Sequence, residues 1–203
     1  MNEDQLSPRA PPGFAVFETA IGWCGLAWSA RGLIGAQLPE AHEDATRARV
    51  SRRFSSAAEI DPPSQIQAVV EAIRALAAGE PRDLTFARLD MEGQSPFNLS
   101  VYALARAIPP GRTRTYGDLA RDLGDLGAAR AVGRALGENP WPIVVPCHRV
   151  LAAGGRIGGF SANGGAATKA RLLAIEGART GDAPTLFDDA PTFSLAPKRP
   201  GAA

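Results

Sequence analysis

Residues 115–140 read TYGDLARDLGDLGAARAVGRALGENP, and this stretch carries more of the fold than any other of its length. Thr115 followed three residues later by Asp118 resembles a capping box, the start signal of a helix whose apolar stripe is Leu119 and Leu123. Gly124 and Gly127 bracket a tight turn, and a second helix is predicted from about Ala128 to Gly137. Two short helices across a glycine turn make a helix-turn-helix. On the second helix Val132, Ala135 and Leu136 can face the body, while Arg130 and Arg134, four apart, share another side. The small residues Ala128, Ala131 and Gly133 would let that helix lie close against a partner surface, for which a DNA backbone is the natural candidate. Spacing alone fits an exposed helix with solvated arginines equally well.

Charge favours the first reading. Residues 1–92 hold 9 basic and 13 acidic residues, net −4, whereas residues 93–180 hold 11 and 5, net +6. A polyanion suits the second half and not the first. The 203 residues are 45% hydrophobic and 21% charged, the composition of an ordinary globular protein long enough to bury a core. The opening MNEDQLSPRA is acidic and polar where a secretory signal needs a basic start and an apolar stretch, and no run approaches a membrane span, so a cytoplasmic protein with no membrane partner is expected. Two cysteines, Cys24 and Cys147, make no disulfide framework, and a structural zinc would need nearly all of them together with His42 and His148. Neither a metal nor a cofactor is expected.

Downstream of the two helices, Pro140 and Pro142 force an extended chain, predicted as a strand through Ile143, Val144 and Val145 that turns at Pro146. Cys147 therefore sits at a fixed bend. After the loop GGRIGGFSANGG, the stretch ATKARLLAIEGA predicts a last helix with Leu172, Leu173 and Ile175 inward. Glu176 falls in its last turn, where the helix dipole disfavours an acid, so it asks for a compensating partner. Upstream, residues 14–38 give short β-rich runs broken by glycines, which suits hairpin strands, with Cys24 as a small apolar residue inside them. A polar, arginine-bearing stretch follows, then a helix opened by Ser64 with Ile66, Val69, Val70, Ile73 and Leu76 on one face, then a possible strand, LTFARLDM, ending near Met91. Ser95-Pro96 starts a further helix with Phe97, Val101, Leu104, Ala105 and Ile108 inward, stopped by Pro109-Pro110-Gly111.

The fold class expected is α/β: a small N-terminal α/β domain with an antiparallel sheet and helix (1–92), and a mainly helical C-terminal domain (93–180) containing the helix-turn-helix and Cys147. Residues 181–203 read as a disordered tail whose apolar knot, PTLF, is a possible docking segment for another protein.

Cys147 next to His148 leaves three readings open: a metal site, a redox thiol and a nucleophile. A thiolate needs a base to take its proton and a carboxylate to orient that base, and Cys147, His148 and Glu176 are the available set. Adjacent residues of a strand point to opposite faces, so the first two cooperate only if the bend after Pro146 turns them together or a water bridges them.

From Thr115 to Gly177 the chain resembles the O6-alkylguanine-DNA alkyltransferases, also called methylated-DNA-protein-cysteine methyltransferases. The marks are PCHRV at 146–150, NP at 139–140, ARAVG at 129–133, TY at 115–116 and LLAIEG at 172–177. The resemblance implies DNA repair by direct reversal, an irreversible and stoichiometric transfer of an alkyl group from O6 of guanine, and also from O4 of thymine, in duplex DNA after base flipping. It implies Cys147 as acceptor, His148 as its base through a water, Glu176 as the carboxylate orienting that histidine, Asn139 as brace of the bend and Tyr116 over the flipped guanine. Arg130 would fill the gap left in the duplex, Leu136 would line the recognition-helix contact, and Arg134, Ala131 and Thr115 also lie on the DNA side. The Val150 carbonyl, Phe160 and Ser161 would hold the base. Alkylated double-stranded DNA is then the partner of a monomer. The loop GGFSANGG is two residues longer than the commoner family form, and Phe160 stands where many members have tyrosine. Two rivals use the same residues: a Cys-His-Glu thiol hydrolase or acyltransferase, and a non-enzymatic module that binds alkylated DNA or regulates.

Overall fold

The computed structural model describes residues 11–180, so the tail and its PTLF segment lie outside the described residues. Three strands come first, β1 (Gly13–Thr19), β2 (Gly22–Ser29) and β3 (Gly32–Gln37), antiparallel in succession with a register shift at Ala27/Trp28. The glycine-broken, apolar pattern of residues 14–38 is thus a meander. Gly32 is required at its turn: φ is +139°, and a Cβ there would lie 2.5 Å from the carbonyl oxygen of Arg88.

The polar stretch hides a helix that periodicity did not show, α1 (Glu43–Arg53). Only Thr46 and Val50 of it are buried, so its apolar signal is almost nil, and capping and charge carry it instead: His42 Nδ1 accepts from the amide of Ala45 at 3.3 Å, with acids in the first turn and arginines in the last. A short strand β4 (Ala58–Glu59) then joins β1 in parallel, giving the sheet order β3-β2-β1-β4. The helix opened by Ser64 is α2 (Ser64–Ala77), with all five expected apolar residues buried.

The strand expected at LTFARLDM is absent. The guanidinium of Arg106 gathers the carbonyls of Leu84, Thr85 and Ala87 at 3.2, 2.7 and 2.9 Å, which curls the backbone and leaves one bridge, Leu33 to Leu89, against the edge of β3. Next comes α3 (Pro96–Arg106), capped by Ser95, whose Oγ accepts from the amide of Asn98; Val101 and Ala105 are buried as expected, while Phe97 is 37% exposed.

Residues Arg114–Thr115 form β5, and the capping box of Thr115 and Asp118 is present in both directions at the head of α4 (Tyr116–Asp122). A single 3₁₀ turn, Leu126–Ala128, leads into α5 (Ala129–Gly137), which buries Val132, Ala135 and Leu136. The expected strand at 143–145 is a turn instead: Val145 donates to the carbonyl of Trp141 at 2.7 Å, and Ile143 has φ +73°. Prolines at 142 and 146 fix the ends of this segment, and the carbonyl of Val145 is taken by a side chain rather than by a neighbouring strand. Strand β6 (Val150–Leu151) pairs in parallel with β5, and α6 (Gly165–Ile175) buries Leu172 and Leu173.

The molecule is therefore a mixed α/β protein, a small sheet with helices. One cluster of buried side chains runs from Phe17 on the sheet to Leu172 on α6; a smaller one, Phe14, Ala27 and Val50, lies under α1 with Phe54 and Ile34. Gly35 makes the second possible, because a Cβ there would stand 2.1 Å from Cζ of Phe54. Gly35→Ala should lower stability by about 1–3 kcal/mol through overpacking, and Phe54→Leu should restore part of the loss in the double variant. Urea denaturation of the single and double variants measures both terms.

Candidate active site

The site is built on a bend with no ladder to hold it. Asn139, 9% exposed, supplies the missing bonds: its Oδ1 accepts from the amide of Trp141 at 2.9 Å, and its Nδ2 donates to the carbonyl of Val145 at 2.8 Å and reaches Sγ of Cys147 at 3.4 Å. Cys147 opens a 3₁₀ turn, Cys147–Arg149, so it and His148 are not on opposite faces of a strand. Cys147 is 7% exposed. Burial pushes its thiol up, against the opposing pull of the Asn139 hydrogen bond and the charge of Lys169, so the resting group is the thiol.

His148 and Glu176 meet as the partner argument for Glu176 required. Nε2 of His148 lies 2.9 Å from Oε1 of Glu176, both side chains being nearly sealed from solvent. Arg149 adds a second clamp, Nε to Oε2 at 2.9 Å and Nη2 to Oε1 at 2.8 Å, while its Nη1 donates to the carbonyl of Ile108 at 2.6 Å. The amide of Gly111 completes the cage at 3.3 Å from Oε2. Burial would raise the Glu176 carboxyl, but the hydrogen bonds and charges of His148 and Arg149 outweigh it and hold it at about 2. Burial lowers His148 below its ordinary value in spite of Glu176, so the imidazole rests neutral with Nε2 as donor to the carboxylate and Nδ1 as the acceptor. Nδ1 has no hydrogen-bond partner among the described residues.

Strands β5 and β6 bring Tyr116 beside this turn, with Arg114 opposite Val150 and Thr115 opposite Leu151. The Tyr116 ring lies between Gly133 and Gly158, where a Cβ would be 3.9 and 3.4 Å from it. Burial raises its hydroxyl, and a thiolate at Cys147 would raise it further. A cavity of roughly 660 Å³ opens here, lined mostly by apolar surface from Tyr116, Ala129, Gly133, Phe160 and their neighbours, with Arg130 and Ser161 at it.

Lys169 was missed by reading the sequence. It is wholly buried on α6, donating to the carbonyl of Val150 at 2.6 Å and reaching the Tyr116 hydroxyl at 3.4 Å; burial lowers its ammonium and Cys147 pulls it back up. The signal existed, since Lys169 stands three and four residues before Leu172 and Leu173 and so shares their inward face. Arg149 was missed as well, and the signal that could have found it was the demand of Glu176 for a compensating partner.

On the outer face of α5, Arg130 and Arg134 are exposed and Ala131 is half-buried. Leu136 is corrected as a contact residue: it is 4% exposed and packs in the core, as its spacing with Val132 and Ala135 implied. The Thr115 hydroxyl is engaged by Asp118, accepting from its amide at 3.0 Å and donating to its carboxylate at 2.7 Å. Among the described residues no cluster of three or more His, Cys, Asp or Glu could hold a metal, and no helix is long and apolar enough to cross a membrane.

Residues 96–178 match the family model described as "6-O-methylguanine DNA methyltransferase, DNA binding domain". The methylated-DNA–protein-cysteine methyltransferase of Mycolicibacterium paratuberculosis is 44% identical over 126 residues, which is 62% of this chain and 74% of that protein. The chain belongs to the methylated-DNA–protein-cysteine methyltransferases. A DNA base-flipping protein of Thermus thermophilus is 46% identical over 110 residues, 54% of this chain and 72% of that one. The crystal structure of the Mycobacterium tuberculosis O6-methylguanine methyltransferase superposes with a TM-score of 0.65 at 33% identity, over 87% of this chain and 99% of the other. The same organism's OGT in complex with DNA gives 0.63 at 32%, over 84% and 96%. Membership makes this chain a methyltransferase, with Cys147 in the position that the geometry marks out.

The His148–Glu176–Arg149 cluster predicts how a member of this family answers to acid. Between the lowered value of native His148 and its ordinary 6.5, only the unfolded chain takes up a proton, so stability falls as the pH drops below about 6.5. Glu176 stays ionised in the native state to about 2 but is protonated near 4.5 when unfolded, so a second loss runs from about 4.5 down to about 2. Thermal melts across this range should show both declines. His148→Gln should remove the upper one and keep the lower.

Proposed function

We propose that the protein repairs alkylated duplex DNA by moving a methyl or other alkyl group from O6 of guanine, and from O4 of thymine, onto Sγ of Cys147. The observation that carries this is a buried thiol and His148 in one turn, with Glu176 brought to that histidine from the end of α6, and an apolar cavity with Tyr116 in its wall. A base inside a duplex cannot reach that cavity, so it is flipped out of the stack. Carbonyl Val150, Phe160 and Ser161 hold it, although Lys169 already occupies one lone pair of the Val150 oxygen.

Neutral His148 draws the thiol proton through a water at Nδ1, and Glu176 stabilises the imidazolium so formed. The thiolate attacks the saturated carbon, the C–S bond forms and the C–O6 bond breaks. Tyr116, its hydroxyl near Lys169, protonates the departing purine, and the proton taken from Cys147 balances the sum. The S-alkyl cysteine has no hydrolytic route back, so each molecule acts once.

DNA docks on α4 and α5 acting as a helix-turn-helix, with Arg130 filling the gap left by the flipped base and Arg134, Ala131 and Thr115 facing the backbone. The division of labour is an N-terminal structural domain to residue 92 and a catalytic, DNA-binding domain from 93 to 180. The protein works as a monomer in the cytoplasm without cofactor or metal, and PTLF is a candidate contact for another protein. A thiol hydrolase is disfavoured by a specific bond: the amide of Cys147 donates to the carbonyl of Val145 at 2.8 Å, so the nucleophile's own N–H is not free for an oxyanion.

Incubation with a duplex containing O6-methylguanine should add one methyl to the peptide bearing Cys147, by mass spectrometry, in a burst equal to the protein present. Continued turnover, or a methyl left on the DNA, would sink the assignment. Cys147→Ala should keep duplex binding and lose transfer. Arg134→Ala should weaken binding to damaged and undamaged duplex alike and reduce the salt slope by about one.

A further inference from the structure

The bend that carries Asn139 is held from outside as well as from within, and the outside support comes from residues much earlier in the sequence, Leu33, Ala36 and Arg53. The edge of β3 meets it with backbone groups: Ala36 donates to the carbonyl of Pro140 at 2.9 Å, and the carbonyl of Leu33 accepts from the Trp141 indole at 2.7 Å. Across the same junction lies Arg53, the last residue of α1. Its Nη1 donates to the carbonyl of Ala36 at 3.0 Å and its Nη2 to the carbonyl of Pro140 at 3.2 Å, with the guanidinium 5.0 Å from the Phe54 ring centre.

Two features separate Arg53 from an ordinary surface arginine. It forms no ion pair with a carboxylate among the described residues, and its guanidinium is directed at two backbone carbonyls instead. It also bonds both sides of a seam, one carbonyl on the sheet and one on the bend, and a planar fork does this where a single point donor cannot. From Pro140 the path to the sulfur is short: Trp141 N–H to Asn139 Oδ1, then Asn139 Nδ2 to Sγ of Cys147.

We propose that Arg53 is a positioning residue for the alkyl transfer, fixing the Pro140–Trp141 bend against β3 so that the Asn139 amide stays aimed at the Cys147 sulfur. The bend needs support beyond the Pro140 and Trp141 bonds to β3, because Ile143 sits at φ +73° in the turn just downstream, a strained conformation that persists only when its surroundings impose it. The proposal rests on Cys147 being the acceptor. Displacements of about 1 Å at a reacting centre can cost up to roughly a hundredfold in rate, so the loss of one of several supports is expected to cost about tenfold.

The test compares Arg53→Met, which keeps the aliphatic stem over Phe54, with Arg53→Lys. Single-turnover transfer from O6-methylguanine duplex at saturating protein gives two separate numbers, a burst amplitude and a rate constant, and iodoacetamide alkylation of Cys147 across pH gives a third without any DNA. Arg53→Met should keep the full amplitude, lower the rate constant about tenfold, move the thiol titration upward and leave the affinity for undamaged duplex unchanged; Arg53→Lys should recover part of the rate. A fall in amplitude with an unchanged rate constant in the active fraction would mean a folding role alone and overturn the proposal. So would an unchanged rate and thiol titration in Arg53→Met. Should the wild-type protein fail to transfer methyl at all, the reading of the function fails, and the iodoacetamide titration alone still decides on Arg53.

Discussion

Asn139 solves the problem that the rest of the structure is arranged around: a nucleophile must be presented on a chain that is neither helix nor strand. From Pro140 to Pro146 the backbone has three residues without an N–H and a turn in place of a ladder, so its polar groups cannot be satisfied by regular pairing. One side-chain amide bridges the start of the segment, its end and the sulfur just beyond it. Its three bonds fix the direction of Cys147 more tightly than the backbone torsions of an isolated loop could. What surrounds the bend, Trp141 in the core with Tyr102 edge-on at 5.8 Å and the β3 edge behind it, serves to keep that amide where it is.

The electrostatics of the site follow from burial in the same way. Three ionisable groups, Lys169, Arg149 and Glu176, lie in the interior around a cysteine and a histidine that are both pushed toward their neutral forms. Charges so placed are tolerable only when paired or well bonded. Glu176 is, by His148, Arg149 and the Gly111 amide. Lys169 is bonded to one carbonyl and one hydroxyl and has no carboxylate partner among the described residues, which leaves its charge free to favour an anion at Cys147 or at the oxygen of Tyr116.

Much of this was legible in residues alone because it follows short-range rules. The capping box of α4, the inward faces of α2 and α5, and the need of Glu176 for a partner were all readable from spacing and charge. The failures share a cause too. Residues 84–91 and 143–145 look like strands by composition, but a strand exists only if another strand accepts it, and here the carbonyls of Leu84, Thr85, Ala87 and Val145 are claimed by the side chains of Arg106 and Asn139. Helix α1 was invisible for the opposite reason, since it buries two residues and its ends, not its face, specify it. Leu136 could be placed in the core by its period, whereas family resemblance placed it at the partner surface, and the period was the better guide.

A protein consumed by one reaction has to protect its nucleophile from every other one. A thiol of low pKa in an open pocket would be alkylated or oxidised by whatever small electrophile arrived first. Here burial holds Cys147 in the thiol form, with 7% of its surface exposed, and the neighbouring imidazole of His148 is itself neutral and sealed. Reactivity then depends on a substrate that fills the apolar cavity beside Tyr116, excludes bulk water and strengthens the pull of Lys169 and of the His148–Glu176 pair on the charges that develop. The same burial that makes the resting sulfur a poor nucleophile makes the occupied site a strong one, so selectivity for a flipped base and protection of a single-use residue have one physical origin.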